Sequence, residues 1–204
     1  VKAAGFNTKP GEGYSYVCQT LDMGISYYRL VYARLTGEPF VVAETKNLLI
    51  REMTTKDLPE LYAVYSTLED CRYIEQLYDY DKELEFTKNY IKNMYGFFEY
   101  GLWLVFEKKS GELIGRAGIE NREIDGVTCR EIGYLIRRDM QHKGYAYEAC
   151  QAILEYASDE LGIQEMFAVI DKTNEPSRKL AQKLGFELYA QTDGGPDLYK
   201  FVFG

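Results

Sequence analysis

The sequence predicts a mixed α/β domain, with antiparallel hairpins in the middle of the chain and strand–helix units towards its end. Three observations support this fold class. Turn residues at 109–112 and 124–126 separate short apolar runs, as in β-hairpins. An apolar stripe at helical spacing runs from Gly144 to Leu161. A continuous apolar run, Met166–Ile170, follows it and is typical of a strand that is covered on both faces.

The other elements follow in chain order from capping and turn residues. Thr54 to Asp57 offer caps for a helix that ends near Ser66. Gly162 ends the helix 144–161, and Asn174 with Pro176 opens a helix that stops at Gly185. A further helix is predicted at 82–98, and strands are predicted at 48–51, 103–106, 113–119, 130–137, 166–170, 186–190 and 198–203.

The composition shifts near residue 46 and divides the chain. Residues 1–46 form an N-terminal extension, with a loop at 5–13 and a helical stripe that ends at 37–39. Residues 47–204 form the main domain. The extension is too short to fold alone, so it is an appendage of that domain, an arm in a homodimer, or the remnant of a longer chain.

Charge and cysteine usage exclude several classes of partner. The net charge of −8 argues against nucleic acid, and no apolar run approaches the roughly 20 residues that cross a membrane. The four cysteines form no CxxC pair, and the chain has only one histidine that could join them as a ligand, so no metal site is expected. Buried thiols in a reducing, cytoplasmic setting are the simplest interpretation.

The segment Gln141–Ala146, QHKGYA, lies between a predicted strand and a predicted helix. The first N–H groups of a helix have no partner within it, and the helix dipole adds partial positive charge there. Gly144 lets a ligand approach the main chain closely, and Ala146 keeps the next contact small. Such a turn suits a pyrophosphate.

The surroundings of the turn make it more specific. The strand EIGYLI, the turn QHKGYA, a helix, a strand and NEPSRKLAQKLGF together resemble the GCN5-related N-acetyltransferase (GNAT) family. Within that family they are most similar to the ribosomal-protein N-acetyltransferase branch, which also contains small-molecule acetyltransferases. The resemblance is clear over residues 131–190, and the element order from Leu48 onwards is similar to the family fold. It implies a central, mostly antiparallel, splayed sheet flanked by helices.

The resemblance also implies acetyl-CoA as co-substrate, without a metal. In the family the turn holds the pyrophosphate, the strand before it pairs with the pantetheine arm, and an asparagine that opens a later helix lies close to the cofactor. The cofactor-binding residues carried over to this chain are Tyr134, Leu135, Ile136, Gln141, His142, Lys143, Gly144, Tyr145, Ala146, Asn174 and Ser177.

Acetyl transfer to an amine needs a neutral amine, a donor to the developing oxyanion and an acid for the departing thiolate. By resemblance, the backbone N–H of Ile136 is the oxyanion donor. Many relatives place a tyrosine acid seven residues after the asparagine, where this chain has Ala181. The closer branch places a serine three residues after it, which is Ser177 here. The alternative role for Ser177 is to cap the helix.

The general base has several candidates in the sequence. Glu131, at the start of the strand, is the first of them, and its alternative role is a salt bridge. Glu120 and Glu123 are weaker candidates, and a water chain would also serve. His142 is expected along the cofactor rim, away from the acetyl group. Tyr73 and Tyr78 lie in the connection between two early helices, where they are candidates for lining the acceptor site.

The predicted function is an N-acetyltransferase that moves an acetyl group from acetyl-CoA to a primary amine by direct attack. The acceptor is a protein N-terminus or a small-molecule amine. The alternative is a non-catalytic module that binds and senses acyl-CoA, because the tyrosine acid is missing.

Overall fold

A computed structural model describes residues 29–69, 72–124 and 126–204 of the chain. The chain divides into two compact units, residues 1–40 and 41–204. In the first unit residues 29–36 are helical, and the N–H of Gly37, whose φ is 74°, bonds to the carbonyl of Ala33 at 2.9 Å. The predicted end of this helix is confirmed. The apolar positions from Val17 to Tyr28 that predicted its earlier turns lie outside the described residues.

The second unit is built on one eight-stranded, mostly antiparallel sheet, which confirms the predicted fold class. The strand order is β1-β2-β3-β4-β5-β6-β8-β7. Among the strands of the described residues, β5 and β6 are the one parallel pair. The strands are β1 Val41–Glu44, β2 Leu48–Arg51, β3 Leu102–Glu107, β4 Leu113–Ile124, β5 Val127–Ile136, β6 Glu165–Ile170, β7 Glu187–Ala190 and β8 Asp197–Val202.

Helices flank the sheet. The α-helices of the second unit are α1 Leu58–Ser66, α2 Tyr80–Tyr90, α3 Tyr145–Asp159 and α4 Glu175–Leu184. Short 3₁₀ turns, Thr55–Asp57 and Arg138–Met140, precede α1 and α3, and a π-helical segment, Ile91–Phe98, continues α2. In the part of the chain that the structure describes, no helix is both long and apolar enough to span a membrane.

The core lies between the sheet and its helices. Trp103 on β3 is fully buried, as are Leu48 and Ile50 on β2. The apolar stripe of α3 is buried as its spacing predicts, and β6 is buried on both faces from Met166 to Ala168. Burial of each large apolar side chain contributes roughly 1.5–3 kcal/mol, so these strands and α3 form the rigid frame of the site.

Three features differ from the sequence-based expectations. The sheet begins at β1, inside the range 1–46 that was assigned to the extension, because β1 pairs with β2. The helix predicted at 82–98 begins at Tyr80 and changes to π-helix at Ile91. The π segment buries Tyr95, whose hydroxyl bonds to the carbonyl of Leu102, a tertiary contact that local propensity does not reveal. Of the expected buried thiols, Cys150 is buried and Cys129 only half-buried.

A charged cluster at the start of α1 yields a stability prediction. Asp57 is buried, pairs with both terminal nitrogens of Arg51 at 2.6 and 3.0 Å, and accepts the N–H of Thr54 at 2.7 Å. Burial alone would raise the pKa of Asp57, but the hydrogen bonds from Arg51 and Thr54 outweigh it and lower the pKa below 3.8. The charged carboxylate therefore stabilises the fold above pH 4 or so, and this contribution is lost as the pH falls through the lowered pKa.

We expect Asp57→Asn to reduce the free energy of unfolding by about 1.5–3 kcal/mol at neutral pH, as for other hydrogen bonds to charged groups. Urea unfolding at neutral pH and at about pH 3 measures this, since the deficit relative to the unmodified protein should shrink in acid. An equal deficit at both pH values would show that the charge of Asp57 is not the source of the stability.

Candidate active site

The central feature of the sheet is the separation of β5 from β6. β5 stays in register with β4 over its whole length, from Ile124 opposite Val127 to Gly115 opposite Ile136. β6 meets β5 at a single position, where Glu131 lies opposite Phe167. Beyond that position, towards Ile136, one edge of β5 has no strand partner among the described residues, and we call the space beside this unpaired edge the opening.

Two residues of β5 direct their peptide groups into this opening. The N–H of Arg137 donates to the carbonyl of Ile114 at 2.7 Å, which is a hydrogen-bonded pair of the β4–β5 ladder. Because such pairs alternate along an antiparallel ladder, the main-chain groups of Ile136 and Tyr134 point away from β4. The peptide groups of Leu135 point towards β4. Of the three predicted strand residues, Leu135 can therefore offer a ligand its side chain only.

The end of β5 is tied to the turn that follows it. Gln141 donates its side-chain Nε2 to the carbonyl of Ile136 at 2.9 Å. His142 and Gly144 both have positive φ angles, of 61° and 87°. A Cβ atom built on Gly144 would meet no atom within 4 Å. The turn thus leaves open space beside its glycine.

The start of α3 faces the same turn with unpaired main-chain donors. The N–H of Glu148 bonds to the carbonyl of Gly144 at 3.0 Å. Among the described residues, no backbone acceptor is found for the N–H groups of Tyr145, Ala146 and Tyr147 before it. The Glu148 carboxylate holds this end of α3 in place, because it accepts the Thr45 hydroxyl at 2.6 Å and the N–H of Asn47 at 2.8 Å. Unpaired N–H groups at the start of a helix are suited to bind an anion.

The side chains of the turn are exposed or contact other groups of the protein. His142 is exposed, and the ammonium of Lys143 lies 3.1 Å from the sulfur of Met140. The hydroxyl of Tyr145 bonds to the carboxylate of Glu107 at the end of β3. The Tyr145 hydroxyl is thus engaged within the protein, and the unpaired main-chain donors beside the turn are the N–H groups of Tyr145, Ala146 and Tyr147.

Asn174 and Ser177 lie together at the start of α4. The side-chain oxygen of Asn174 accepts the N–H of Ser177 at 3.2 Å, so Asn174 is the N-cap of the helix. The hydroxyl of Tyr134 donates to the carbonyl of Ser177 at 3.4 Å, which connects β5 to α4. The Ser177 hydroxyl has no hydrogen bond within the described residues. It does not cap the helix, which leaves it free for other roles.

Glu131 lies at the point where β5 and β6 separate. Its Oε1 accepts the N–H of Val169 at 3.3 Å, and its Oε2 lies 3.6 Å from Nη1 of Arg122. Burial raises the pKa of Glu131, while Arg122 and Val169 act in the opposite direction. The Glu131 carboxylate takes the place of a strand partner for the N–H of Val169. Its contact with Arg122 is the salt bridge that was the alternative to a role as base.

The two weaker base candidates differ in environment. Glu123 is exposed on β4, near the hairpin end. Glu120 is half-buried and lies directly opposite Glu131 in the β4–β5 register. This pairing can be predicted from the sequence, because a hairpin that turns at 125–126 places residues 120 and 131 opposite each other. A neighbour on the same strand, Arg116, is buried and was not singled out from the sequence.

Of the two tyrosines proposed to line an acceptor site, Tyr73 lies beside the start of α4. Its hydroxyl is 2.7 Å from the hydroxyl oxygen of Thr173, which itself donates to Asp171 at 2.5 Å. Tyr78 instead packs edge-on against Phe86, with 5.7 Å between the ring centroids. The connection before α2 is therefore joined to the loop between β6 and α4.

The chain belongs to the GNAT acetyltransferase family, because the model of the acetyltransferase (GNAT) domain matches residues 47–187. It is 33% identical to the uncharacterized protein YkkB of Bacillus subtilis (strain 168) over 134 residues, 66% of this chain and 72% of that protein. It is also 33% identical to the uncharacterized N-acetyltransferase YnaD of the same organism over 143 residues, 69% of this chain and 79% of that protein. Acetyl transfer is the chemistry of this family.

Solved structures share the fold. RimL, a ribosomal L7/L12 alpha-N-protein acetyltransferase, has a TM-score of 0.68 at 15% identity, over 81% of this chain and 95% of that chain. A GNAT-family acetyltransferase from Bordetella pertussis has a TM-score of 0.66 at 22% identity, over 78% and 97%. The microcin C7 self-immunity acetyltransferase MccE, solved with acetyl-CoA and AMP, has a TM-score of 0.63 at 15% identity, over 78% and 94%. The resemblance predicted from sequence is confirmed, and at these identities the solved structures support the fold alone.

Proposed function

We propose that the protein transfers an acetyl group from acetyl-CoA to a primary amine, by direct attack of the amine on the thioester. The observation that carries this proposal is the opening between β5 and β6, which ends at a glycine turn with free helix N–H groups. An extended chain with amide groups can pair with the free edge of β5, and a pyrophosphate suits the turn. Acetyl-CoA combines these two parts.

The turn supports binding of the pyrophosphate through its main chain. The N–H groups of Tyr145 and Ala146 are unpaired in the described residues, and there is open space beside Gly144. The Gln141 side chain keeps the turn at the end of β5. His142 and Lys143 are exposed, so they add donors and charge at the rim rather than in the site.

The reaction needs a donor at the thioester carbonyl and an acid at the sulfur. The N–H groups of Tyr134 and Ile136 point into the opening and are suited to hydrogen-bond the carbonyl as it becomes an oxyanion. Ser177 carries a hydroxyl without a partner in the described residues, beside the Asn174 cap. It is suited to give a proton to the thiolate, a role for which the buried Ala181 has no group.

The acceptor is proposed to be a protein N-terminus or a small-molecule amine. The net charge of −8 favours cationic acceptors, as does the half-buried carboxylate of Glu120. RimL, by its name, acetylates an α-amino group of a ribosomal protein, which makes peptide N-termini a rational part of an acceptor panel.

The test is to incubate the protein with acetyl-CoA and a panel of small amines and peptides, and to follow thiol release together with the mass of each acceptor. We expect thiol release that depends on an amine, with an acetylated product. Binding of acetyl-CoA without turnover on any acceptor would favour the non-catalytic sensor, and failure to bind would contradict both functions.

A further inference from the structure

On one face of the β4–β5 hairpin, two glycines lie beside a carboxylate, and the main chain of Gly101 and the side chain of Leu102 pack against them. Gly118 and Gly133 lie opposite each other, two register positions from the pair of Glu120 and Glu131 and on the same face. A Cβ atom on Gly133 would lie 3.3 Å from Oε2 of Glu120. The Glu120 carboxylate therefore reaches over Gly133 and not only across to Glu131.

This position brings Glu120 close to the place where a thioester would react. Gly133 is followed by Tyr134, whose N–H is the first on β5 to face the opening beyond the last strand pair. Side chains alternate across a strand, so Glu120 and the Tyr134 side chain lie on opposite faces of the sheet. The Tyr134 side chain contacts Ser177 on its own face. With Glu120 on one face of the sheet and Ser177 on the other, the reacting carbonyl would lie between a base and an acid.

The carboxylates of Glu120 and Glu131 differ in the hydrogen bonds and salt bridges that they make. Glu131 is held by the N–H of Val169 and by Arg122. Glu120 has no hydrogen bond or salt bridge within the described residues, although it is half-buried. We propose that Glu120, and not Glu131, is the general base that takes a proton from the acceptor ammonium; this inference rests on the proposed function.

The surroundings of Glu120 raise its pKa above the ordinary value of a glutamate, which favours a role as proton acceptor. Burial raises the pKa of Glu120, Arg116 lowers it, Glu75 raises it and Arg122 lowers it again. The other titratable groups facing it are Glu131 on β5 and Tyr90 at the end of α2. Arg116 is 7% exposed, its Nε has no partner in the described residues, and its Nη1 lies 3.5 Å from the Tyr65 hydroxyl. The charge of Arg116 limits the rise in the pKa of Glu120, although the two side chains form no salt bridge.

The proposed step balances in protons and bonds. The Glu120 carboxylate takes one proton from the ammonium and later releases it to water. The neutral amine attacks the thioester carbon, a C–N bond forms and the C–S bond breaks. The nitrogen then loses a second proton, and the thiolate gains one through Ser177, so the products are an amide, a thiol and one released proton.

The experiment compares Glu120→Gln with the matched variant Glu131→Gln in the full chain, with rates measured from about pH 5 to about pH 9 on an alkylamine acceptor. Loss of a general base typically costs 10²–10⁴-fold in rate. We expect Glu120→Gln to lower kcat by roughly 100-fold at neutral pH, and its rate to rise with pH as the free amine forms. Glu131→Gln should lower kcat less than about fivefold. Its rate should still fall towards low pH as in the unmodified protein, which is the acidic limb of the pH–rate profile. Acetyl-CoA affinity should be unchanged in both variants.

Several outcomes would overturn the inference. A large loss with Glu131→Gln and a small one with Glu120→Gln would assign the base to Glu131. A loss in Glu120→Gln that does not recover at high pH would indicate a structural role. If Glu120→Gln unfolds, Glu120→Asp replaces it, and loss of the acidic limb in that variant would contradict the inference. Unmodified protein that binds acetyl-CoA but acetylates nothing would instead contradict the proposed function, and this inference with it.

Discussion

Replacement of Gly144 by alanine is expected to weaken acetyl-CoA binding by at least about tenfold, or roughly 1.4 kcal/mol. Gly144 has a φ of 87°, and its missing side chain faces open space in the turn. A Cβ atom there would occupy the volume proposed for the pyrophosphate. It would also strain a left-handed backbone by roughly 1–2 kcal/mol, which would displace the free N–H groups of α3. Calorimetric titration with acetyl-CoA and with CoA measures the loss.

Gly162 offers a matched control for this substitution. It follows the opposite end of α3 and has a φ of 62°, and a Cβ atom added to it would likewise meet no atom within 4 Å. Gly162→Ala should therefore reduce stability by a similar amount but leave the affinity for acetyl-CoA unchanged. Equal affinities of the two variants for acetyl-CoA would show that the turn at Gly144 does not hold the ligand.

Replacement of Ser177 by alanine is expected to lower kcat by roughly 100-fold, within the range for loss of a general acid or base. The Ser177 hydroxyl has no partner within the described residues, while its N–H is capped by Asn174. The variant should therefore lose the proton donor without losing the helix cap. Its Kd for acetyl-CoA and its thermal stability should stay close to those of the unmodified protein. Steady-state kinetics and thermal unfolding measure the two effects.

Asn174→Ala is the complementary variant. Loss of an N-cap costs about 0.5–2 kcal/mol, so this change should lower the unfolding temperature clearly more than Ser177→Ala does. If Ser177→Ala keeps its full kcat on a good acceptor, another group protonates the thiolate. A thioester whose thiol is more acidic than that of CoA gives a further check, because it needs less help from an acid and should restore part of the lost rate.

The elements with strong local signals could be predicted from the sequence. The apolar stripe of α3, the cap at Asn174 and the glycine at 185 each act locally, and the structure places helix ends within one or two residues of them. β1 could not be found in this way. Its four residues are an edge strand whose existence depends on pairing with β2, and such pairing leaves little pattern in a short segment.

The details of the site depend on tertiary geometry. The opening between β5 and β6 results from strands that do not pair beyond Glu131, which the apolar pattern of either strand does not encode. Glu131 and Glu120 have similar sequence contexts. The difference between them is that, within the described residues, the N–H of Val169 and the salt bridge of Arg122 go to Glu131 and not to Glu120. The burial of Arg116 among tyrosines of α1 and α2 likewise appears only after the helices pack on the sheet.

The most direct test of CoA binding in the opening is an amide-resolved nitrogen–proton NMR titration of the 23.6 kDa protein with CoA. We expect the N–H signals of Tyr134 and Ile136, and those from Gly144 to Tyr147, to shift together and saturate with one binding curve. Signals on β7, at the edge of the sheet beyond β6 and β8, should barely move. Saturable shifts confined to other regions, with the opening and the turn unaffected, would contradict the claim that this opening binds CoA.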